Sequence, residues 1–100
     1  MMPGEDTHQT VYLFTQPSCP NCPAAKMVLS EALQGTNIQL KTVDLQSMDP
    51  DLEFRLLEEQ VFIASTPSVI VEDSHGLRLL YSGQVPSVED VRQKLGVGTL

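Results

Sequence analysis

The sequence predicts an α/β protein: a four-stranded mixed sheet flanked by three helices, in the order β-α-β-α-β-β-α. Short β-branched runs alternate with segments of helical period, and the last two extended runs are joined by hairpin chemistry. The only two cysteines, Cys19 and Cys22, stand three positions apart where a strand gives way to a helix. The chain of 100 residues matches the length of one typical domain, and residues 10–96 hold every predicted element. Residues 1–9 read as a flexible lead-in and residues 97–100 as a flexible tail.

Thr10-Val11-Tyr12-Leu13-Phe14-Thr15 is a β-branched and aromatic run stopped by Gln16-Pro17, the pattern of a buried strand. Cys19 is expected at the very start of the first helix, with Cys22 one turn further in. Pro20 and Pro23 fall where a first turn tolerates missing N–H groups. Ala25, Val28, Leu29, Ala32 and Leu33 recur at helical spacing, and Gly35 closes the element. Ile38 to Leu45 alternates as a second strand. Asp49-Pro50 then opens a helix, a side-chain cap followed by proline at the first helical position. Leu52, Leu56 and Leu57 supply its apolar stripe, and Glu53, Arg55, Glu58 and Glu59 its wet face. Val61 to Ser65 reads as a partly buried connector.

Ser68-Val69-Ile70-Val71-Glu72 reads as a third strand. Asp73-Ser74-His75-Gly76 is turn chemistry and Leu77–Tyr81 the returning strand. Ser87-Val88-Glu89-Asp90 has the form of a capping box with Asp in place of Glu. Val88, Val91 and Leu95 form the buried face of the last helix, Arg92 and Lys94 suit its negative end, and Gly96 ends it. The first two strands, joined by a helix, should be parallel through a right-handed crossover; the last two should form an antiparallel hairpin.

Composition narrows the function. Hydrophobic residues make up 41% and charged residues 19%, the balance of a soluble globular protein. Thirteen acids against six bases give a net charge of -7, with no basic cluster to bind phosphates, so nucleic acid and anionic membranes are not expected partners. No apolar run approaches the ~18–20 residues that cross a bilayer. The opening Met1-Met2-Pro3-Gly4-Glu5-Asp6-Thr7-His8-Gln9 has neither a basic nor an apolar signal region, which predicts a reducing, cytoplasmic location. A structural disulfide would be unusual there, so the cysteine pair points to chemistry.

A helix N-terminus carries unpaired N–H donors and roughly half a positive charge, which favours a thiolate over a thiol. Cys19, nearer the loop, is then the expected exposed nucleophile that attacks a substrate disulfide. Cys22, further in, attacks back and releases the reduced substrate. Two other readings of the pair stay open. Structural zinc wants four ligands, and only His8, in the flexible start, and His75, in a distant turn, could complete a set, so metal is not expected in the monomer, although two chains could share a metal or an iron–sulfur cluster through four thiolates. The domain could also be a non-catalytic adaptor.

With strand Val11–Thr15, the stretch Cys19-Pro20-Asn21-Cys22-Pro23-Ala24-Ala25-Lys26 and Thr66-Pro67 before a strand, the sequence resembles the thioredoxin superfamily, and within it the glutaredoxin-like branch. The resemblance spans residues 10–96, ending with Gly83 and a capped last helix. It implies a thioredoxin-like fold and a protein disulfide oxidoreductase that needs no cofactor. It also implies that Pro67 is cis and packs against the cysteine pair, with the Thr66 backbone pairing with substrate beside Pro20 and Asn21. Glutathione-using members usually place a Lys shortly before the pair, where this chain has Gln16-Pro17-Ser18. They also carry a Gly-Gly turn and then an acid, where this chain has Gly83-Gln84-Val85-Pro86, with Glu89 and Asp90 the nearest acids. Thioredoxin itself has a Trp before its pair and a buried acid in the preceding strand; this chain has no Trp, and Leu13 fills the strand. The expected partners are a disulfide-containing protein substrate and, in preference to glutathione, a flavoprotein disulfide reductase; the expected state is a monomer.

Lys26, one turn beyond Cys22, could tune the thiol pKa or stand as a solvated surface lysine. Lys41 and Asp44 could be an inner polar pair, with surface charge the simpler alternative. Phe62 and Ile63 could border an apolar substrate groove or belong to the core. His75 reads as a turn residue, and Met27 and Met48 as apolar fill or loop residues.

Overall fold

The computed structural model, which describes residues 9–96, contains β1 (Thr10–Thr15), α1 (Cys22–Ala32), β2 (Gln39–Asp44), α2 (Pro50–Glu58), β3 (Ser68–Asp73), β4 (Gly76–Ser82) and α3 (Val88–Leu95). Residues 1–8 of the expected lead-in and 97–100 of the expected tail lie outside the described residues. Gln9 is within them, and its carbonyl accepts from the Gln39 N–H at 3.4 Å. The sheet has four strands in the order β2-β1-β3-β4. β1 and β2 are parallel, and β3 runs antiparallel to both β1 and β4, which is the mixed topology expected from the sequence.

Alternation along β1 and β3 gives the sheet two apolar faces. Val11, Leu13, Val69 and Val71 join Ala25, Leu29, Ala32 and Leu33 from α1 and Val91 and Leu95 from α3. Tyr12, Phe14 and Ile70 face the other way and meet Leu52 and Leu56 of α2. Strands that bury both faces read as near-continuous apolar runs, which explains Val11-Tyr12-Leu13-Phe14 and Val69-Ile70-Val71. A bulge interrupts β4: Tyr81 pairs with Val69 and Leu79 with Ile70, so Leu80 has no opposite number. The extra residue switches the strand's facing, leaving Leu77 in the α2 cluster while Tyr81 enters the α1/α3 cluster.

Several expectations are corrected. The first helix begins at Cys22 with Asn21 as its N-cap, so Cys19 and Pro20 precede it. The Cys19 N–H closes a turn on the Gln16 carbonyl at 3.2 Å, and helical backbone is sterically disfavoured for a residue before a proline. β2 stops at Asp44, whose carboxylate accepts from the Gln46 N–H at 2.9 Å and starts a 3-10 turn over Leu45–Ser47. Asp49 and Pro50 do open α2, but the Asp49 side chain makes no capping bond. Leu57 is 60% exposed, because a helix this short buries only the Leu52/Leu56 row, and Met27 is 72% exposed on the outer side of α1. In α3, Ser87 caps the Asp90 N–H at 3.1 Å, yet the Asp90 carboxylate turns to the Tyr81 hydroxyl instead of closing a reciprocal box.

Candidate functional site

The register of the sheet decides what meets at the end of β1. Thr15 leads into the turn that holds Cys19. Ser68, the first residue of β3, lies opposite Phe14, so the preceding Thr66-Pro67 loop sits at that same end. Ser82 pairs with Ser68, which brings Gly83 and the approach to α3 there as well. Three loops far apart in sequence therefore gather around the start of α1. The turn at Ser74 and His75 lies at the opposite end, beside Thr10 and Glu72.

Cys19 and Cys22 are joined as a disulfide, with an S–S distance of 2.10 Å and Cα atoms 5.5 Å apart. The two are not equivalent. Cys22 is 6% exposed at the first helical position, whereas Cys19 is half-buried in the turn outside, between exposed Ser18 and exposed Pro20. Pro23 occupies the second helical position and has no N–H, so the N–H groups of Cys22 and Ala24 are first-turn donors with no acceptor inside the helix. The first turn carries no acid to offset its positive end.

The Thr66–Pro67 bond is cis, as the resemblance implied. The Pro67 carbonyl accepts from the Gly83 N–H at 2.8 Å. The Ser68 hydroxyl, fully buried, donates to the Ser65 carbonyl. Gly83 has φ +76°, and a Cβ there would lie 2.5 Å from Ser65 Oγ, so the loop after β4 presses directly on the proline loop. Sequence reasoning singled out Thr66 and Pro67 but missed Ser65, Ser68 and Gly83 as their support. The available signal was a serine opening an otherwise apolar strand.

The other candidates separate. Pro20 and Asn21 are exposed beside the pair. Lys26 is exposed on α1 and lines a shallow surface groove with Pro23, Met27, Ser30, Glu31 and Gln34. Lys41 and Asp44 are both exposed and, three positions apart in a strand, point to opposite faces, so they form no inner pair. Phe62 is 65% exposed, while Ile63 packs against the α2 cluster, as does Met48. Among the described residues no group of three or more His, Cys, Asp or Glu side chains converges to hold a metal ion.

A parallel β-α-β unit and an antiparallel hairpin in one sheet, with a Cys-x-x-Cys disulfide at the start of the first helix and a cis-proline loop at the same end of the sheet, define a thioredoxin-fold protein with a redox-type cysteine pair. A family model described as thioredoxin domain matches residues 9–96, and the chain belongs to that family. Solved structures agree on the fold. A thioredoxin variant from Halobacterium salinarum superposes with a TM-score of 0.67 at 10% identity, over 92% of this chain and 75% of that one. A malaria parasite thioredoxin-2 gives a TM-score of 0.65 at 18% identity, over 90% and 82%. The oxidised mitochondrial thioredoxin 3 of Saccharomyces cerevisiae gives 0.63 at 14% identity, over 90% and 78%. No curated protein matches the sequence. The family and the joined cysteines support thiol–disulfide exchange as the general chemistry.

Proposed function

We propose that this protein is a monomeric, cytoplasmic thiol–disulfide oxidoreductase that reduces disulfides of other proteins through one domain spanning residues 10–96. Cys19 is the nucleophile and Cys22 the resolving thiol. The asymmetry of the pair carries this assignment: Cys19 half-buried in an exposed turn, Cys22 6% exposed within the helix. Within the family, the Cys19–Lys26 stretch supports a glutaredoxin-like small dithiol protein.

In the reduced protein the Cys19 thiolate attacks one sulfur of a substrate R–S–S–R′. A Cys19–S–S–R bond forms, and R′S⁻ leaves and takes a proton from water. The Cys22 thiolate then attacks the Cys19 sulfur, forming Cys19–Cys22 and expelling RS⁻, which is protonated in turn. The substrate gains two electrons and two protons, and the dithiol loses the same. The free N–H groups at the start of α1 favour the thiolate that begins each step. Lys26, four residues after Cys22, adds positive charge from the solvent side, and Pro20, Asn21, Thr66 and Pro67 form the rim that meets substrate.

Return to the dithiol needs an electron donor, and we assign a flavoprotein disulfide reductase in preference to glutathione. Asp90, one of the two acids nearest to the position that would hold the tripeptide's amine, has its carboxylate engaged by the Tyr81 hydroxyl.

Insulin reduction with dithiothreitol, run beside Cys19→Ser and Cys22→Ser, tests the reading. Cys19→Ser should fall to the dithiothreitol background. Cys22→Ser should accumulate a mixed disulfide that mass spectrometry detects. A Cys19→Ser variant as fast as the wild type would end the proposal.

A further inference from the structure

We propose that the outer face of α2 is a docking surface for a partner protein that presents apolar side chains among lysines and arginines. A helix lying on a sheet needs one apolar stripe, and α2 has two. Leu52 and Leu56 fill the stripe buried against the sheet. On the opposite side Pro50, Phe54 and Leu57 recur at i, i+4 and i+7, all exposed, with Phe54 and Leu57 each 60% exposed. Of the six large apolar side chains exposed among the described residues, Phe54, Leu57 and Phe62 fall within residues 54–62. Single exposed apolar residues are ordinary on a surface, whereas a stripe of them rimmed by charge marks a contact.

Charge decides what covers it. Helical geometry puts Glu53 on one flank of the stripe and Asp51 and Glu58 on the other, all three exposed. Arg55, the only base of the helix, turns from this face to pair with Glu72 of β3. Glu59 also turns away, its carboxylate accepting from the Leu77 N–H at 3.5 Å. The stripe is therefore an apolar centre with an acidic rim that no cation of the helix offsets. A second copy meeting the same face would set acid against acid, and nucleic acid or an anionic membrane would be repelled in the same way. A basic rim around apolar anchors complements it, the anchors giving affinity and the charges steering encounter. Such a partner leaves the cysteines open. α2 packs on the sheet face opposite α1, and Glu59 reaches the hairpin at the end remote from the cysteine turn.

The probe is an amphipathic helical peptide built from leucine and lysine, titrated into the isotope-labelled protein by amide NMR beside its leucine–glutamate counterpart. The lysine peptide should shift the amides of residues 50–58 and bind more weakly as salt rises. Phe54→Ser and Leu57→Ser should each weaken binding about tenfold or more, and Glu53→Lys combined with Glu58→Lys should weaken it too. Phe54 and Leu57 are exposed, so both serine variants should keep the wild-type circular dichroism and the wild-type rate with 5,5′-dithiobis(2-nitrobenzoate). No binding, shifts centred outside α2, affinity unchanged in Phe54→Ser, or equal binding of the glutamate peptide would each overturn the proposal. Self-association in sedimentation that Phe54→Ser abolishes would overturn it in favour of a second copy. Cys19→Ser should bind the peptide as the wild type does. A protein that binds the peptide but does not reduce insulin would therefore end the oxidoreductase reading alone.

Discussion

Tyr81 enters the α1/α3 core through the bulge at Leu80 and donates its hydroxyl to Asp90 on the first turn of α3. Burial opposes ionisation most, and the neighbouring carboxylate adds hydrogen-bonding and charge penalties, so the phenol titrates well above its ordinary 10.0. The sign of the linkage follows. Below the unfolded pKa both states hold the proton and the contribution is complete. Above it the unfolded chain releases a proton that the folded chain keeps, so stability falls as pH rises, by up to about 1.4 kcal/mol per pH unit. Urea midpoints of wild type and Tyr81→Phe should therefore converge between pH 10 and higher values. At pH 8 the variant should be weaker by about 1–3 kcal/mol, since Asp90 loses its donor. Parallel curves across that range would refute a proton held by the fold.

At the scale of elements, α2 ends in a Schellman motif made with the wrong residue. The Val61 N–H reaches the Leu56 carbonyl at 2.9 Å and the Gln60 N–H the Leu57 carbonyl at 3.1 Å, which puts Gln60 at φ 60°. Glycine takes that conformation without a Cβ clash, so Gln60→Gly should raise stability by about 0.5–1 kcal/mol. Thermal denaturation by circular dichroism reads this as a few degrees, and a lowered midpoint would contradict it. The helix end at Gln60 carries no glycine signal, which is why the sequence shows where α2 starts better than how it stops. Each element exists where its own apolar period requires it, so order and type were legible. What the sequence did not show was decided by partners from elsewhere. The start of α1 depends on a turn to Gln16, and the facing of Tyr81 depends on a bulge against Val69 and Ile70. The cysteine pair was legible because both residues act within one turn. Ser68 and Gly83 were not, since their meaning depends on two loops meeting across the sheet.

Across the whole molecule, β1 and β3 supply side chains to both clusters, so neither face of the sheet can open without uncovering the other. The candidate site depends on that shared sheet, because the cysteine turn leaves β1 and the proline loop enters β3. Leu29, fully buried under α1, and Leu56, 5% exposed under α2, probe the two faces separately. Leu29→Ala and Leu56→Ala should each lower stability by about 2–4 kcal/mol, a large part of the roughly 5–15 kcal/mol that holds a domain together. Each variant should still unfold in one transition, with far-UV circular dichroism and tyrosine fluorescence coinciding. Below that transition both variants should keep a reactive Cys19, since neither leucine belongs to the cysteine turn or the proline loop. Two separable transitions in Leu56→Ala would mean that the α2 face melts alone. The proline loop would then have to be regarded as anchored by β4 and Gly83 instead of by the sheet as a unit.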